Sequence, residues 1–238
     1  VVKSCRDYGV PIRIGVNLGS LERDLYEKYG YAHEAMVESA MRHVKILEDL
    51  DFYDTIVSLK ASDVPRMVKA YKLFAEKTDY PLHLGVTEAG SKIPGAIKSS
   101  MGMGMLLSEG IGDTIRASLS EDPKEEVKVG KLILRSLGLR NDGVQVTSCP
   151  TCARTHIDVI KIVEELENET EKIKKPIHVA VMGCAVNGPG ESRKADLGIV
   201  GAPGNHLLYK YGKIVRRIND NEIKEVLLKE INEIANGS

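Results

Sequence analysis

Apolar residues recur at two spacings along the first 140 positions. Four short runs alternate apolar and polar residues at period two: Ile12–Asn17, Thr55–Lys60, Leu82–Thr87 and Thr114–Leu119. Such alternation marks strands. After each run, apolar residues return every three or four positions, which predicts helices over Ala32–Leu50, Val64–Lys77, Ala96–Glu109 and Pro123–Leu137, with Pro123 in a first turn. Strand then helix, repeated, predicts parallel βα units. Val1–Tyr8 reads as the last turns of an amphipathic helix stopped at Gly9. A chain that opens inside a helix is expected to be a fragment.

The four strands share a phase. One set of alternate positions holds Arg13, Gly15 and Asn17, then Ser58, Lys60 and Ser62, then His83, Gly85 and Thr87, then Arg116, Ser118 and Ser120. The other set is largely apolar, with Ile14, Val16, Leu59, Leu84, Val86, Ile115, Ala117 and Leu119. Successive strand residues point to opposite faces, so one face meets the helices and the other gathers polar groups, one cationic residue per strand. A doubly wound sheet is covered on both faces and reads apolar throughout. A polar inner face fits a β/α barrel, whose functional groups cluster near the C-terminal strand ends. A full barrel takes roughly 250 residues, so four units read as the C-terminal half of a TIM-type barrel, with two raw sheet edges. Any one of these polar residues is as readily a buried, hydrogen-bonded side chain as a ligand. Four strands in phase favour convergence of Arg13, Lys60, His83 and Arg116 on a phosphate or diphosphate. Glu88, beside Thr87 at a strand end, reads equally as a general acid and as a salt-bridge partner. Gly102-Met103-Gly104 and Gly110-Ile111-Gly112 make no nucleotide fingerprint, and Met101, Met103 and Met105 read as helix packing.

Beyond the turn-rich joint Arg140-Asn141-Asp142-Gly143 the pattern changes. Strand Val144–Thr147, a helix over Thr155–Glu169, strand Ile177–Met182 and strands Asp196–Val200, Leu207–Tyr211 and Lys213–Arg217 precede a final helix over Asn221–Ala235. Tyr211-Gly212-Lys213 reads as a hairpin tip. The expected organisation is thus a barrel-type domain over residues 1–140 and a small α+β domain over 141–238.

The 238 residues carry a net charge of −1 and are 42% hydrophobic and 28% charged, an ordinary globular balance. Near-neutral charge and 5% aromatic content give no support for a nucleic-acid surface. No apolar run has the length of a membrane span, and there is no signal-peptide pattern. Four cysteines, three of them clustered, do not make a secreted disulfide framework, so a cytoplasmic protein is expected. The cluster is Cys149-Pro150-Thr151-Cys152 together with Cys184 at the head of Ala185-Val186-Asn187-Gly188-Pro189-Gly190-Glu191. A thioredoxin-type pair accounts for the first two thiols but leaves Cys184 unexplained. Zinc, completed by His156, His178 or His206, is a second reading. An iron–sulfur cluster with three thiolates and a carboxylate such as Glu191 is the third. Cys5, alone in a helix, reads as a small buried hydrophobe, and as a fourth ligand only if the first domain folds onto the second. A non-catalytic electron carrier and a zinc-stabilised binding protein stand as alternatives to an enzyme; a carrier needs no phosphate site.

Arg13-Ile14-Gly15-Val16-Asn17, Lys60-Ala61-Ser62-Asp63-Val64, Thr87-Glu88-Ala89-Gly90, Leu107–Thr114, Cys149-Pro150-Thr151-Cys152 and Asn187-Gly188-Pro189-Gly190-Glu191 occur in that order. Together they resemble the hydroxymethylbutenyl diphosphate synthase family of the methylerythritol phosphate route to isoprenoids. The resemblance spans essentially the whole chain and lacks only four further barrel strands N-terminal to its start. It implies an oxidoreductase that opens the ring of 2-C-methyl-D-erythritol 2,4-cyclodiphosphate and removes a hydroxyl to give 4-hydroxy-3-methylbut-2-enyl diphosphate. It implies one 4Fe-4S cluster on Cys149, Cys152, Cys184 and Glu191, in a ferredoxin-like module of the sulfite- and nitrite-reductase type. Lys60, Arg116 and Ser118 match phosphate-binding positions, and Thr87 and Glu88 lie near the reacting end; Arg13, Asn17 and His83 are added from the strand pattern. Reduced flavodoxin or ferredoxin is the implied donor. The implied assembly is a homodimer in which the cluster domain of one subunit caps the barrel of the other. On this view, half a barrel alone is expected to be inactive and aggregation-prone.

Overall fold

The computed structural model describes residues 1–237. The chain divides into two compact units, Val1–Arg140 and a second that begins at Asn141. Each has its own core, and each is described by itself.

The first unit opens with α1 (Val2–Tyr8), which ends at Gly9 in the left-handed conformation (φ 62°), its N–H turned back to Arg6 and Cys5 carbonyls. Strand β1 (Ile12–Asn17) leads through a short turn into α2 (Arg23–Tyr29) and α3 (His33–Glu48). Then follow β2 (Thr55–Lys60) with α4 (Val64–Ala75), β3 (His83–Leu84) with α5 (Lys92–Leu107), and β4 (Thr114–Ile115) with α6 (Pro123–Ser136). β1 and β2 pair in parallel with Asn17 beside Lys60, and β3 and β4 pair in parallel with His83 beside Thr114. A single bridge, Val57 to Leu82, joins the two pairs.

Two expected strands are shorter than their alternation suggested. Between β2 and β3 Tyr71 of α4 takes the place of a ladder bond: its hydroxyl accepts from Leu59 N–H (3.0 Å) and donates to the His83 carbonyl (2.7 Å). The chain stays extended beyond β3 and β4, where Arg116 N–H reaches Leu84 O (2.9 Å) and Thr87 N–H reaches Ala61 O (3.3 Å). Helix α2 was not expected, and α5 starts four residues earlier than its apolar spacing indicated. The period-two phase is what the burial shows. Val57, Leu59, Leu84, Val86 and Ala117 are buried in one core with Met67, Tyr71 and Phe74 of α4. Met103 belongs to that core, but Met101 and Met105 are about half exposed, at 58% and 48%. Helix packing therefore accounts for one of the three methionines.

In the second unit β5 (Val144–Ser148), α7 (Val159–Thr170), β6 (Ile177–Met182), α8 (Gly188–Ser192), β7 (Leu197–Val200), β8 (His206–Lys210), β9 (Lys213–Ile218) and α9 (Ile223–Asn236) follow in order. One sheet runs β5-β6-β7-β8-β9, parallel across its first three strands and antiparallel thereafter. This sequential order differs from the interleaved β-α-β-β-α-β arrangement of a ferredoxin-like module. Alternation of element types predicts which segments are strands, but not which strand pairs with which. Leu166 of α7 and Leu227 and Ile231 of α9 bury one sheet face, and a smaller cluster of Ala180, Met182, Ala195, Val200 and Tyr209 lies on the other, against α8. Tyr211 and Gly212 turn the β8–β9 hairpin with φ 48° and 76°, both positive as a two-residue turn of this twist requires. Helix α7 starts at Val159 rather than Thr155, capped by Asp158 accepting from Lys161 N–H. Among the described residues no helix is long and apolar enough to cross a membrane.

Candidate functional site

The cationic residues of the first unit stand on one sheet face but at different heights. Continuing the registers places Ser58 and Thr114 level with His83, and Asn17 and Arg116 level with Lys60 across Gly85. Arg13 sits lower, opposite Ile56. The expected convergence is thus a staircase, with the upper step, Lys60 and Arg116, nearest the C-terminal strand ends. Gly85 makes that step possible. A Cβ there would lie 2.7 Å from the Arg116 carbonyl oxygen and 3.3 Å from Lys60 Nζ.

The electrostatics follow from crowding four fixed or potential cations. Burial, then the fields of Arg116 and Arg13, push Lys60 down to about 8. Burial, then Lys60, Arg13 and Arg116, push His83 down to about 4, so its imidazole is neutral at pH 7. His83 Nδ1 meets Thr114 Oγ1 at 2.9 Å, while Nε2 is buried without a partner. Of the influences on Lys60, Glu126 is the smallest and the one that opposes the fall, and an anionic ligand would relieve the crowding further.

Around the upper step, Thr87 and Ser118 are partly buried, and Glu88 is exposed. Glu88 holds φ at 52°, a left-handed conformation that is costly for a non-glycine residue and concentrated at functional loops. Asn17 accepts Gly19 N–H at 3.1 Å, so its side-chain oxygen already closes the turn that leaves β1. Sequence reasoning missed Tyr71, Thr114 and Gly85. A tyrosine and a threonine among apolar neighbours carry no signal of what they bridge, whereas Gly85 in the middle of a strand run was a visible mark of close backbone approach.

In the second unit the thiols sit on turns at the ends of β5 and β6, which are parallel neighbours. Cys149 N–H donates to Val181 O (3.3 Å), and Gly183 N–H donates to Cys149 Sγ (3.1 Å). His156 N–H donates to Gly183 O (2.8 Å), which ties the turn after β5 to the turn after β6. Cys152 is exposed, Cys149 and Cys184 are half-buried, and none is in a disulfide. The Arg154 backbone N–H, helped by the Thr155 hydroxyl and the Arg154 guanidinium, holds the Cys152 thiol below its ordinary value, favouring the thiolate that binds metals. The stretch expected to be a loop before Glu191 contains α8, which lies close on the sheet because Gly188 has no side chain: a Cβ would meet Val200 Cγ1 at 2.5 Å. Glu191 is partly buried on this helix.

Among the described residues no three His, Cys, Asp or Glu side chains stand close enough for a single ion. His178 and His206, offered for zinc, are committed elsewhere. His178 Nε2 meets Thr147 Oγ1 at 2.8 Å, and His206 bonds both Ala202 N–H and Asp220. An iron–sulfur cluster asks for something different, because each ligand meets its own iron. Three thiols and a carboxylate, on two neighbouring turns and the helix that leaves them, match that demand in the chemistry of the donors. Cys5 packs against the core of the first unit.

Parallel βα units with a cationic strand face, followed by a mixed sheet with thiols on its rim, define a protein of mixed α/β class. The GcpE TIM-barrel domain family matches residues 1–131, and the GcpE protein C-terminal domain family matches residues 145–233. The chain belongs to the GcpE family. It is 57% identical over 236 residues to the 4-hydroxy-3-methylbut-2-en-1-yl diphosphate synthase (flavodoxin) of Geobacillus thermodenitrificans, covering 99% of this chain and 63% of the relative. The Bacillus subtilis protein of the same name is 56% identical, with the same two shares. That of Clostridium perfringens is 53% identical over 98% of this chain and 67% of its own length. The chain therefore spans about two thirds of the length of the curated relatives it matches.

Proposed function

We propose that this chain serves the reductive ring opening and dehydroxylation of 2-C-methyl-D-erythritol 2,4-cyclodiphosphate to 4-hydroxy-3-methylbut-2-enyl diphosphate, a step of isoprenoid biosynthesis. The observation that carries the reading is the pairing, in one GcpE-family chain, of a crowded cationic strand face with Cys149, Cys152 and Cys184 on adjacent turns. The relatives' names, which specify flavodoxin, support reduced flavodoxin as donor over ferredoxin. The first unit supplies the last four βα units of a TIM-type barrel, and the second holds a 4Fe-4S cluster through Cys149, Cys152, Cys184 and Glu191. When bound, such a cluster supplies electrons and a Lewis-acidic iron.

The protein's own groups do the rest. Lys60 and Arg116 grip the diphosphate and compensate its charge as the ring C–O bond breaks. Ser118 and Thr87 donate hydrogen bonds beside them, Asn17 stands level with Lys60, and Arg13 and His83 form the lower wall. Glu88 serves as the general acid toward the departing oxygen. Glu191 would be the one oxygen donor among the residues holding the cluster, and a carboxylate binds iron less strongly than a thiolate. A homodimer, in which the second unit of one copy faces the strand ends of the other, would bring the two chemistries together.

Anaerobic purification tests the reading. Iron and acid-labile sulfide in near-equal amounts are expected, with Glu191→Ala lowering iron retention. Colourless protein with stoichiometric zinc, or undiminished iron in Glu191→Ala, would overturn it.

A further inference from the structure

The two turns that carry the thiols are tied together by one side chain that is not itself a ligand. Thr155 closes the turn that begins at Cys152, its N–H donating to the Cys152 carbonyl at 3.0 Å. Its hydroxyl accepts the Cys152 N–H at 3.3 Å and also bonds the Cys152 thiol. The same side chain faces the second turn. A Cβ at Gly183 would lie 2.9 Å from Thr155 Oγ1 and 3.0 Å from its Cγ2, so Thr155 rests directly on the Gly183 backbone. From elsewhere Gly201 closes on the same residue, because a Cβ there would run into the Gly183 carbonyl. Gly183 is buried, donates its N–H to Cys149 Sγ at 3.1 Å and immediately precedes Cys184. Thr155 therefore spans both turns.

The donors that meet the thiols differ in kind. Gly183 N–H on Cys149 and Arg154 N–H on Cys152 belong to the backbone and are present whatever side chains stand there. The Arg154 guanidinium also reaches Cys152, but Arg154 is exposed, where water and salt screen its charge. The Thr155 hydroxyl is half-buried and fixed by its bond to the Cys152 N–H. Of these four donors it is the one that is both held in place and supplied by a side chain.

We propose that Thr155 is a positioning residue for the iron centre, its hydroxyl donating to the Cys152 thiolate and raising the reduction potential of the cluster held there. This role rests on the proposed iron–sulfur reading and adds to it a residue outside the ligand set. A hydrogen bond to a ligating sulfur draws negative charge away from the iron. It thereby stabilises the reduced state, which carries one electron more. That electron enters from the reduced donor, and no covalent bond to Thr155 is made or broken. The Thr155 methyl group has a separate part, which is to keep the two turns at their spacing through Gly183.

Redox titration of the anaerobically purified 238-residue chain, followed by electron paramagnetic resonance, separates the two parts. Thr155→Val keeps the shape and removes the hydroxyl. Its cluster is expected to be about tenfold harder to reduce, which is about 59 mV lower for a one-electron couple. Thr155→Ser keeps the hydroxyl and removes the methyl, and it is expected to titrate with the wild-type chain while losing iron faster to a chelator. Thr147→Val, a control whose hydroxyl meets His178 Nε2 and no thiol, leaves the potential unchanged. A Thr155→Val potential equal to wild type would overturn the proposal and leave the cluster reading intact. So would a tenfold shift in Thr155→Ser, a result that decides even if Thr155→Val retains no iron. A wild-type chain without iron and sulfide overturns both.

Discussion

The two candidate sites are held by different means. In the first unit the groups sit on strands, and the ladder fixes their heights: Lys60 beside Asn17, His83 beside Thr114. In the second unit the thiols sit past the strand ends, on turns held by a few backbone bonds such as Gly183 N–H to Cys149 Sγ and His156 N–H to Gly183 O. A strand-borne site is preorganised by folding. A turn-borne one keeps the freedom to take up a bulky group, which then does part of the ordering itself.

That contrast can be broken most sharply at the thiols. Cys184→Ser is expected to lower iron per chain more than about tenfold in anaerobic preparations, because the centre itself completes the order of its turn. Cys5→Ser, within the packing of the first unit, is expected to leave iron unchanged. Equal losses from both would show that the thiols do not act as a local set.

The strand-borne site should instead yield to loss of its scaffold. Tyr71→Phe removes the hydroxyl between Leu59 N–H and the His83 carbonyl, and it should destabilise the first unit by about 1–3 kcal/mol in urea unfolding. An unchanged midpoint would mean the two strands are held otherwise.

Charge on the upper step gives a smaller, graded effect. Lys60 loses its proton as pH rises through about 8, so calorimetric affinity for inorganic pyrophosphate should weaken above that pH. The loss should be up to about tenfold per unit, and Lys60→Arg should flatten it. A wild-type profile without this fall would remove Lys60 from the anion site.

The smallest expected effect lies one level down. His83 is depressed from 6.5 to about 4, so between those values the unfolded chain holds more protons than the native one. Stability therefore rises with pH across that window and is lost on acidification. His83→Gln should flatten this acid limb, and an unaltered limb would place the acid sensitivity in another group.

Much of this was legible in the chain itself. Period-two alternation gave β1 and β2 to the residue and put Arg13, Lys60, His83 and Arg116 on one face. Alternation carries face and phase but not register, and so the different heights of the four cations were not readable from it. Cysteine spacing pointed to Cys149, Cys152 and Cys184, but not to α8, because Gly188-Pro189-Gly190 reads as a turn until the sheet beneath gives a one-turn helix something to lie on. The order β5-β6-β7-β8-β9 was beyond pattern reading for the same reason that interleaved and sequential sheets share an element string.

The sequence by itself determined which residue types exist for chemistry and which side of each element they occupy, because those follow from covalent spacing along the chain. Only the tertiary structure decided their heights, their neighbours and their charge states. Those depend on which strand lies beside which: the burial that neutralises His83, the gap at Gly85 that admits Lys60, and the bare Gly183 backbone on which Thr155 rests.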